Sequence, residues 1–238
     1  VAVGYQSGLY ATGSNNTFIG SNAGAGGTTS SPYSSGENNV AVGSEALDAF
    51  TTGTNNTAVG ASAAGALTTG ELNVFIGRNA GANSTVSQRA VGIGFEALNR
   101  YGLTSVGQGA PVAIGFEAGR FATGSKNVFV GYETGKGGTQ SGTLTSGDDN
   151  IAVGYAALTA FTTGVENIFM GSSAGTSITT GNGNVGLGHE ALKVHTTGQY
   201  NVAIGWKAMD DTDAGGSSAN SNNNIAIGAN ALGGTWAN

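Results

Sequence analysis

The chain has 238 residues, 44 of them glycine, with 14 acidic and 8 basic side chains, a formal net charge of −6 and no cysteine. Those values exclude a basic nucleic-acid groove, attraction to anionic lipid, and any disulfide framework or thiolate metal site. No apolar run approaches the ~18 residues that a membrane span requires, so neither nucleic-acid binding nor membrane insertion is expected. Only 9% of residues are charged, yet Val and Ile recur at fixed spacing, so the composition points to a repeat array rather than to disorder.

The first element is Val1-Ala2-Val3-Gly4, and its pattern returns along the whole chain. The glycines that close it, Gly4, Gly20, Gly43, Gly60, Gly77 and Gly94, are spaced 16, 23, 17, 17 and 17 residues apart. After a further 21 residues Gly115 restarts the series, which runs through Gly131, Gly154, Gly171, Gly188, Gly205 and Gly228 at 16, 23, 17, 17, 17 and 23. The chain therefore reads as one array, 1–238, built from a six-turn block over 1–111 and a second six-turn block plus one turn over 112–238. Because Val1 falls inside a repeat, it also reads as a fragment of a longer fibre.

Counting from each anchor glycine, position −1 is aliphatic in every turn and −3 is β-branched wherever it is a side chain of the repeat, as in Val74-Phe75-Ile76 and Ile168-Phe169-Met170. Residues two apart share one face of a strand, so each turn carries a short strand with one β-branched face. Position −4 is Asn in ten of twelve turns, among them Asn56, Asn73, Asn167, Asn184 and Asn201. Such a column can join its amides from turn to turn. Position −7 is Gly in nine of twelve, preceded by Thr or Ser. Gly and Asn tolerate left-handed backbone, so both columns are expected at corners. The structural ladder is thus Asn56, Asn73, Asn167, Asn184 and Asn201 with the anchors Gly60, Gly77, Gly171, Gly188 and Gly205.

Positions −2 and +4 trade volume. Phe18, Phe75, Phe129 and Phe169 at −2 go with Gly at +4, whereas Ala or Gly at −2 goes with Leu or Met at +4. A close-packed interior demands such an exchange, so the two positions are expected to touch. Ala2, Ala58 and Ala113 have neither partner. With −3 and −1 aliphatic and Phe or Leu on the opposite side, each roll has apolar surface on both faces. Packing of three chains about a three-fold axis would bury the outer one.

Long spacings place loops near 25–38, 99–110, 136–149 and 210–223, where solenoids often carry binding residues. Tyr33, Tyr101 and Trp236 are the candidate exposed aromatics there. Position +1 holds Tyr5, Phe95, Phe116, Tyr132, Tyr155 and Trp206 among small or polar residues. Tyr33, Tyr132, Tyr155 and Trp206 are candidates for stacking on a sugar or a partner's apolar groups. Glu45, Glu96, Glu117, Glu133 and Glu190 recur at +2 and are expected on a solvated, spread-out face. Asp148, Asp149, Asp211 and Asp213 sit in acidic clusters of a kind that supplies oxygen to Ca²⁺. The calcium nonapeptide is absent, so they are read as solvated turns of the insertions, with no metal and no cofactor expected. His189 and His195, the only histidines, decorate ordinary repeat positions. With no cysteine and no catalytic triad to assemble, the chain is not expected to be an enzyme. Thr pairs such as Thr51-Thr52 and Thr179-Thr180 leave an ice-binding array as a lesser alternative.

The Asn-x-Ala/Phe-Val/Ile-Gly motif with Ala at +3 resembles the head repeats of YadA-like trimeric autotransporter adhesins. The longer unit from Asn56 to Gly70 is similar to shaft repeats of phage tail fibres. The resemblance implies a parallel β-roll or β-solenoid of about 13 turns, ~17 residues each, packed as a homotrimer. It further implies an extracellular location, on a cell surface or virion fibre, and a structural role that presents loops to a host-surface glycan or protein. A glycan-binding module is the alternative function.

Overall fold

The structure, a computed structural model, describes residues 1–27, 33–102, 109–138, 144–210 and 221–233. It is all-β, a parallel β-solenoid with no helix among the described residues. The chain divides into two compact units, 1–120 and 121–238. The first contains β1 (Ala2–Val3), β2 (Thr17–Ile19), β3 (Val40–Val42), β4 (Thr57–Val59), β5 (Val74–Ile76), β6 (Val91–Ile93) and β7 (Val112–Ile114). The second contains β8 (Val128–Val130), β9 (Ile151–Val153), β10 (Ile168–Met170), β11 (Val185–Leu187), β12 (Val202–Ile204) and β13 (Ile225–Ile227). All thirteen anchors are thus preceded by a strand. Counted strand to strand within the units, they enclose about eleven turns, six in the first and five in the second. Within each unit every strand pairs in parallel with the next, in the register of the repeat: Val74 lies beside Thr57 and Val91, Ile168 beside Ile151 and Val185.

The strands are short because only position −2 points inward. Along each three-residue strand the middle residue is buried and its neighbours are half-buried or exposed. The core is a stack of layers built from −2, +3 and +4. Alanine at +3 is buried in every turn from Ala23 to Ala208 that carries it, as at Ala46, Ala80 and Ala174. The exchange between −2 and +4 is a direct contact: a Cβ added at Gly81 would lie 2.6 Å from the Phe75 ring, and one at Gly175 would lie 2.6 Å from the Phe169 ring. The rings also reach the next layer. A Cβ at Gly92 would stand 2.9 Å from Phe75, which is why −2 is Gly one turn later. A Cβ at Gly8, in the Ala2 turn, would lie 3.1 Å from the Phe18 ring, so that small-residue layer accommodates its neighbour's phenylalanine.

A second core column stands at +7: Phe50, Leu67, Tyr101, Phe161, Ile178 and His195, all fully buried. Phe50 and Phe161 meet Phe18 and Phe129 at 5.5 Å between ring centroids. Tyr101 is therefore core, not the exposed loop aromatic expected from its place in a long spacing, and its hydroxyl donates to the Gly109 carbonyl at 3.3 Å.

The corners differ from expectation. The −4 asparagines and −7 glycines are not the left-handed residues. Left-handed φ falls at −5 (Asn55 +57°, Leu72 +60°, Tyr200 +57°), at +2 (Glu45 +56°, Glu96 +54°) and at +4 (Leu98 +48°, Leu158 +53°). Glycine at −7 answers a close approach: a Cβ at Gly53 would lie 2.6 Å from the Gly70 carbonyl oxygen of the next turn. Asparagine at −4 answers a hydrogen-bond requirement. Along the column the amide Nδ2 donates to the −7 carbonyl of the next turn, a glycine in Asn56 to Gly70 and Asn167 to Gly181 and a serine in Asn73 to Ser87 and Asn201 to Ser221, all 2.8 Å. From Asn39 to Asn56 and from Asn127 to Asn201 each Oδ1 accepts both the backbone N–H and the Nδ2 of the following asparagine, as in Asn184 to Asn167 at 3.0 and 3.1 Å. The columns Asn16–Asn73 and Asn127–Asn201 are thereby polar, buried and hydrogen-bonded, the condition under which buried polar groups are tolerated.

Candidate functional site

The anchor glycine turns the chain out of the strand, and the residue after it, +1, projects to the surface. Its carbonyl accepts the +2 N–H of the next turn, as in Ser173 to Tyr155 and Glu190 to Ser172, at 2.8 and 2.9 Å. That ladder spaces the +1 side chains at the strand repeat, close enough for flat rings to stack. In the first unit Phe95 and Phe116 stack at 5.1 Å and 13°, with the Arg78 guanidinium 5.8 Å from the Phe95 ring. In the second, Tyr132 and Tyr155 stack at 5.3 Å and 11°, and His189 and Trp206 at 6.5 Å and 13°. Lys207 Nζ lies 5.0 Å from the Trp206 ring centre. Tyr132, Tyr155 and Trp206 are therefore on one exposed row, joined by His189, which the sequence reading had treated as decoration. Tyr33 is elsewhere: it stacks on Tyr10 at 6.2 Å and 9° beside a loop.

Of the +2 glutamates along this row, Glu45 is exposed, whereas Glu96, Glu117, Glu133 and Glu190 are held in ion pairs. Glu96 and Glu117 grip Arg120 at 2.6 and 3.0 Å, and Glu117 is buried. Glu133 pairs with Lys136 at 3.0 Å. Glu190 pairs with Lys193 at 2.7 Å and with Lys207 at 3.3 Å. Its carboxyl is held below the ordinary carboxylate range, first by the hydrogen bond from Lys193. The reason is positional: +5 lies one helical-like step beyond +2, so a basic residue there meets the glutamate of its own turn.

Asp148 and Asp149 are corner residues at −6 and −5, not parts of an insertion. Asp148 Oδ1 accepts the Ser125 N–H at 2.6 Å, and Asp149 is the left-handed residue, 3.8 Å from Lys126. Asp211, Asp213 and Trp236 lie outside the described residues. Among the described residues no group of three or more histidine or acidic side chains is placed to hold a metal, and no helix is long and apolar enough to cross a membrane. In four threonine pairs the first hydroxyl donates to a carbonyl of the next turn, as in Thr68 to Thr85 at 2.9 Å and Thr179 to Thr196 at 3.0 Å, and the second threonine is exposed, as at Thr69 and Thr180.

His195 is the other correction. It replaces an aliphatic residue in the +7 column, fully buried, with Nε2 2.9 Å from Ser221 Oγ. Burial pushes its pKa down to about 4. Between an ordinary value near 6.5 and that value, the unfolded chain takes up a proton that the folded chain excludes. Stability is then complete above about pH 6.5 and falls as the pH drops toward 4, by roughly 2–3 kcal/mol. His195→Ile, matching Ile178 one turn earlier, is expected to abolish that component. Urea midpoints of both proteins at pH 7.5 and 4.5 measure it, the difference between them isolating His195 from the carboxylates.

Compared with protein-family models, curated proteins and solved structures, the chain matches none.

Proposed function

We propose that the chain is a shaft or head segment of an extracellular fibre, a phage tail fibre or bacterial surface adhesin, that works as three associated copies and presents its loops for attachment. The observation that carries this reading is the outward face of the strands. Positions −3 and −1 along β2–β7 and again along β8–β13 are Val, Ile, Leu, Met or Thr without one charged residue. They stand half-buried to exposed, Ile76 at 37% and Met170 at 43%. Soluble monomers rarely leave so continuous an apolar surface in water. A partner for it must be flat, extended, uncharged and repeated at the same interval, and another copy of this chain meets every one of those requirements. Closed rotational symmetry then buries the face on each copy without leaving an open end to the assembly. The resemblance to trimeric adhesin heads supports three copies.

Light scattering after size exclusion tests the proposal. The expected mass is three times the 23.3 kDa of the chain; a stable species at one chain mass overturns it. Ile168→Lys combined with Val185→Lys places two charges on neighbouring strands of that face. The double variant is expected to run as a single chain while its far-ultraviolet circular dichroism stays that of the parent.

A further inference from the structure

The aromatic row of the second unit lacks one ring. Tyr132 stacks on Tyr155 and His189 stacks on Trp206, and the +1 residue between those pairs is Ser172. The backbone holds the five residues in step: the Ser173 N–H donates to the Tyr155 carbonyl at 2.8 Å, the Glu190 N–H to Ser172 at 2.9 Å, and the Lys207 N–H to His189 at 2.9 Å. Tyr155 thus has one face on Tyr132 and the other toward the Ser172 rung. His189 has one face on Trp206 and the other toward that same rung. Tyr155 is 58% exposed, and His189 is exposed as well, so both rings that face the Ser172 rung are open to solvent.

We infer that the Ser172 rung is a binding slot for one pyranose ring of a saccharide, sandwiched between Tyr155 and His189. This goes beyond the fibre reading and does not depend on how many chains associate. Two rungs of a parallel ladder stand about 9.6 Å apart. Carbon contacts at the two ring faces take about 3.5–4.0 Å each, leaving roughly 2 Å, which suits a puckered chair and leaves a flat ring loose. The C–H groups of a sugar meet the electron-rich face of tyrosine favourably, and its hydroxyls remain free for polar partners. Those partners are at hand. Ser172 itself carries a hydroxyl on the vacant rung. Glu190, next along the chain from His189 and held by Lys193 and Lys207 at 2.7 and 3.3 Å, supplies a fixed acceptor at the rim. The first unit provides the contrast: Arg78, Phe95 and Phe116 occupy consecutive rungs in contact, so no ring is missing between them.

Saturation-transfer NMR on the intact chain tests the slot, with the methyl pyranosides of glucose, galactose, mannose and N-acetylglucosamine as probes and indole as a flat competitor. At least one pyranoside is expected to receive saturation at its ring C–H protons. Ser172→Tyr fills the rung with a residue that the chain already carries at +1 in earlier turns, and so keeps the fold while closing the slot. It is expected to weaken binding by about tenfold or more, as is Tyr155→Ala, each removing one stacking contact. Phe116→Ala, outside the slot, is expected to leave binding unchanged. Absence of transfer to every pyranoside overturns the inference; so does transfer to indole alone, or parent-like binding by Ser172→Tyr.

Discussion

Gly60→Ala is expected to lose about 2–6 kcal/mol of stability, a large share of what a domain possesses. Two terms add. Gly60 has φ +129°, a region closed to residues with a Cβ, where strain costs about 1–3 kcal/mol. The new Cβ would also lie 2.6 Å from the Gly77 carbonyl carbon, 2.7 Å from its oxygen and 3.0 Å from the Arg78 nitrogen. These are backbone atoms, and the ladder fixes both sides: the Gly60 N–H donates to Val42 and the Gly77 N–H to Val59, each at 2.7 Å. Neither strand can yield without breaking its own bonds, so overpacking costs a further 1–3 kcal/mol or so. Gly77, Gly171, Gly188 and Gly205 share the geometry, with φ from +128° to +141°, and the same loss is expected at each. Gly65→Ala is the control. Its Cβ would meet nothing nearer than Asp48 Oδ1 at 3.4 Å, its φ is unremarkable, and alanine there is expected to be neutral or to stabilise by about 0.4–1 kcal/mol. Urea unfolding followed by circular dichroism compares the two. Equal losses at Gly60 and Gly65 would show that crowding of the anchor column is not what selects glycine.

The periodicity of the sequence was sufficient to locate the strands, because an anchor that admits only glycine cannot drift. It also revealed that −2 and +4 share one space, since Phe75 opposite Gly81 and Gly92 opposite Leu98 are complementary volumes. The backbone at the corners was not legible. Residue preferences assign left-handed φ to Gly and Asn, yet Leu47, Leu98, Leu158 and Leu192 adopt it at +4. Their side chains are fully buried. Burial of a leucine contributes about 1.5–3 kcal/mol, which exceeds the ~1–2 kcal/mol cost of the conformation. Tyr101 and His195 were misplaced because the long and short spacings obscure the +7 column. Counting forward seven residues from the anchors brings Phe50, Leu67, Tyr101, Phe161, Ile178 and His195 into register, Tyr101 in the 21-residue spacing and the others in 17-residue turns, and that signal identifies both as core. The aromatic row was visible as a row. Its missing rung was not, because a serine among rings means nothing until the rings are known to stack.

Asn167→Ala is expected to cost about 2–5 kcal/mol, and Asn167→Asp more at neutral pH. Asn167 Nδ2 donates to Asn150 Oδ1 at 3.0 Å and to the Gly181 carbonyl at 2.8 Å. Its Oδ1 accepts the Asn184 backbone N–H at 3.0 Å and the Asn184 Nδ2 at 3.1 Å. Alanine keeps only its own backbone bond to Asn150 and strands two buried backbone groups, the Gly181 carbonyl and the Asn184 N–H. The chain itself carries an alanine in this column, and its surroundings explain why that one is tolerated. The Ala90 N–H donates to Asn73 Oδ1 at 3.0 Å, and the next residue of the column is Pro111, which has no N–H to be stranded. Aspartate at 167 would instead set a carboxylate against the Asn150 Oδ1 and the Gly181 oxygen. Burial and that opposition raise its pKa in the folded chain above the unfolded value near 3.9, so the folded state binds the extra proton. The penalty is therefore full above the raised pKa and is relieved as the pH falls through it, when the protonated acid regains one donor. Relative to the parent at each pH, Asn167→Asp should be the least stable variant at pH 7 and should approach or surpass Asn167→Ala near pH 4.5, as read from urea midpoints. An Asn167→Asp deficit that stays constant across that range would mean that the column is packed by shape and not joined by its amides.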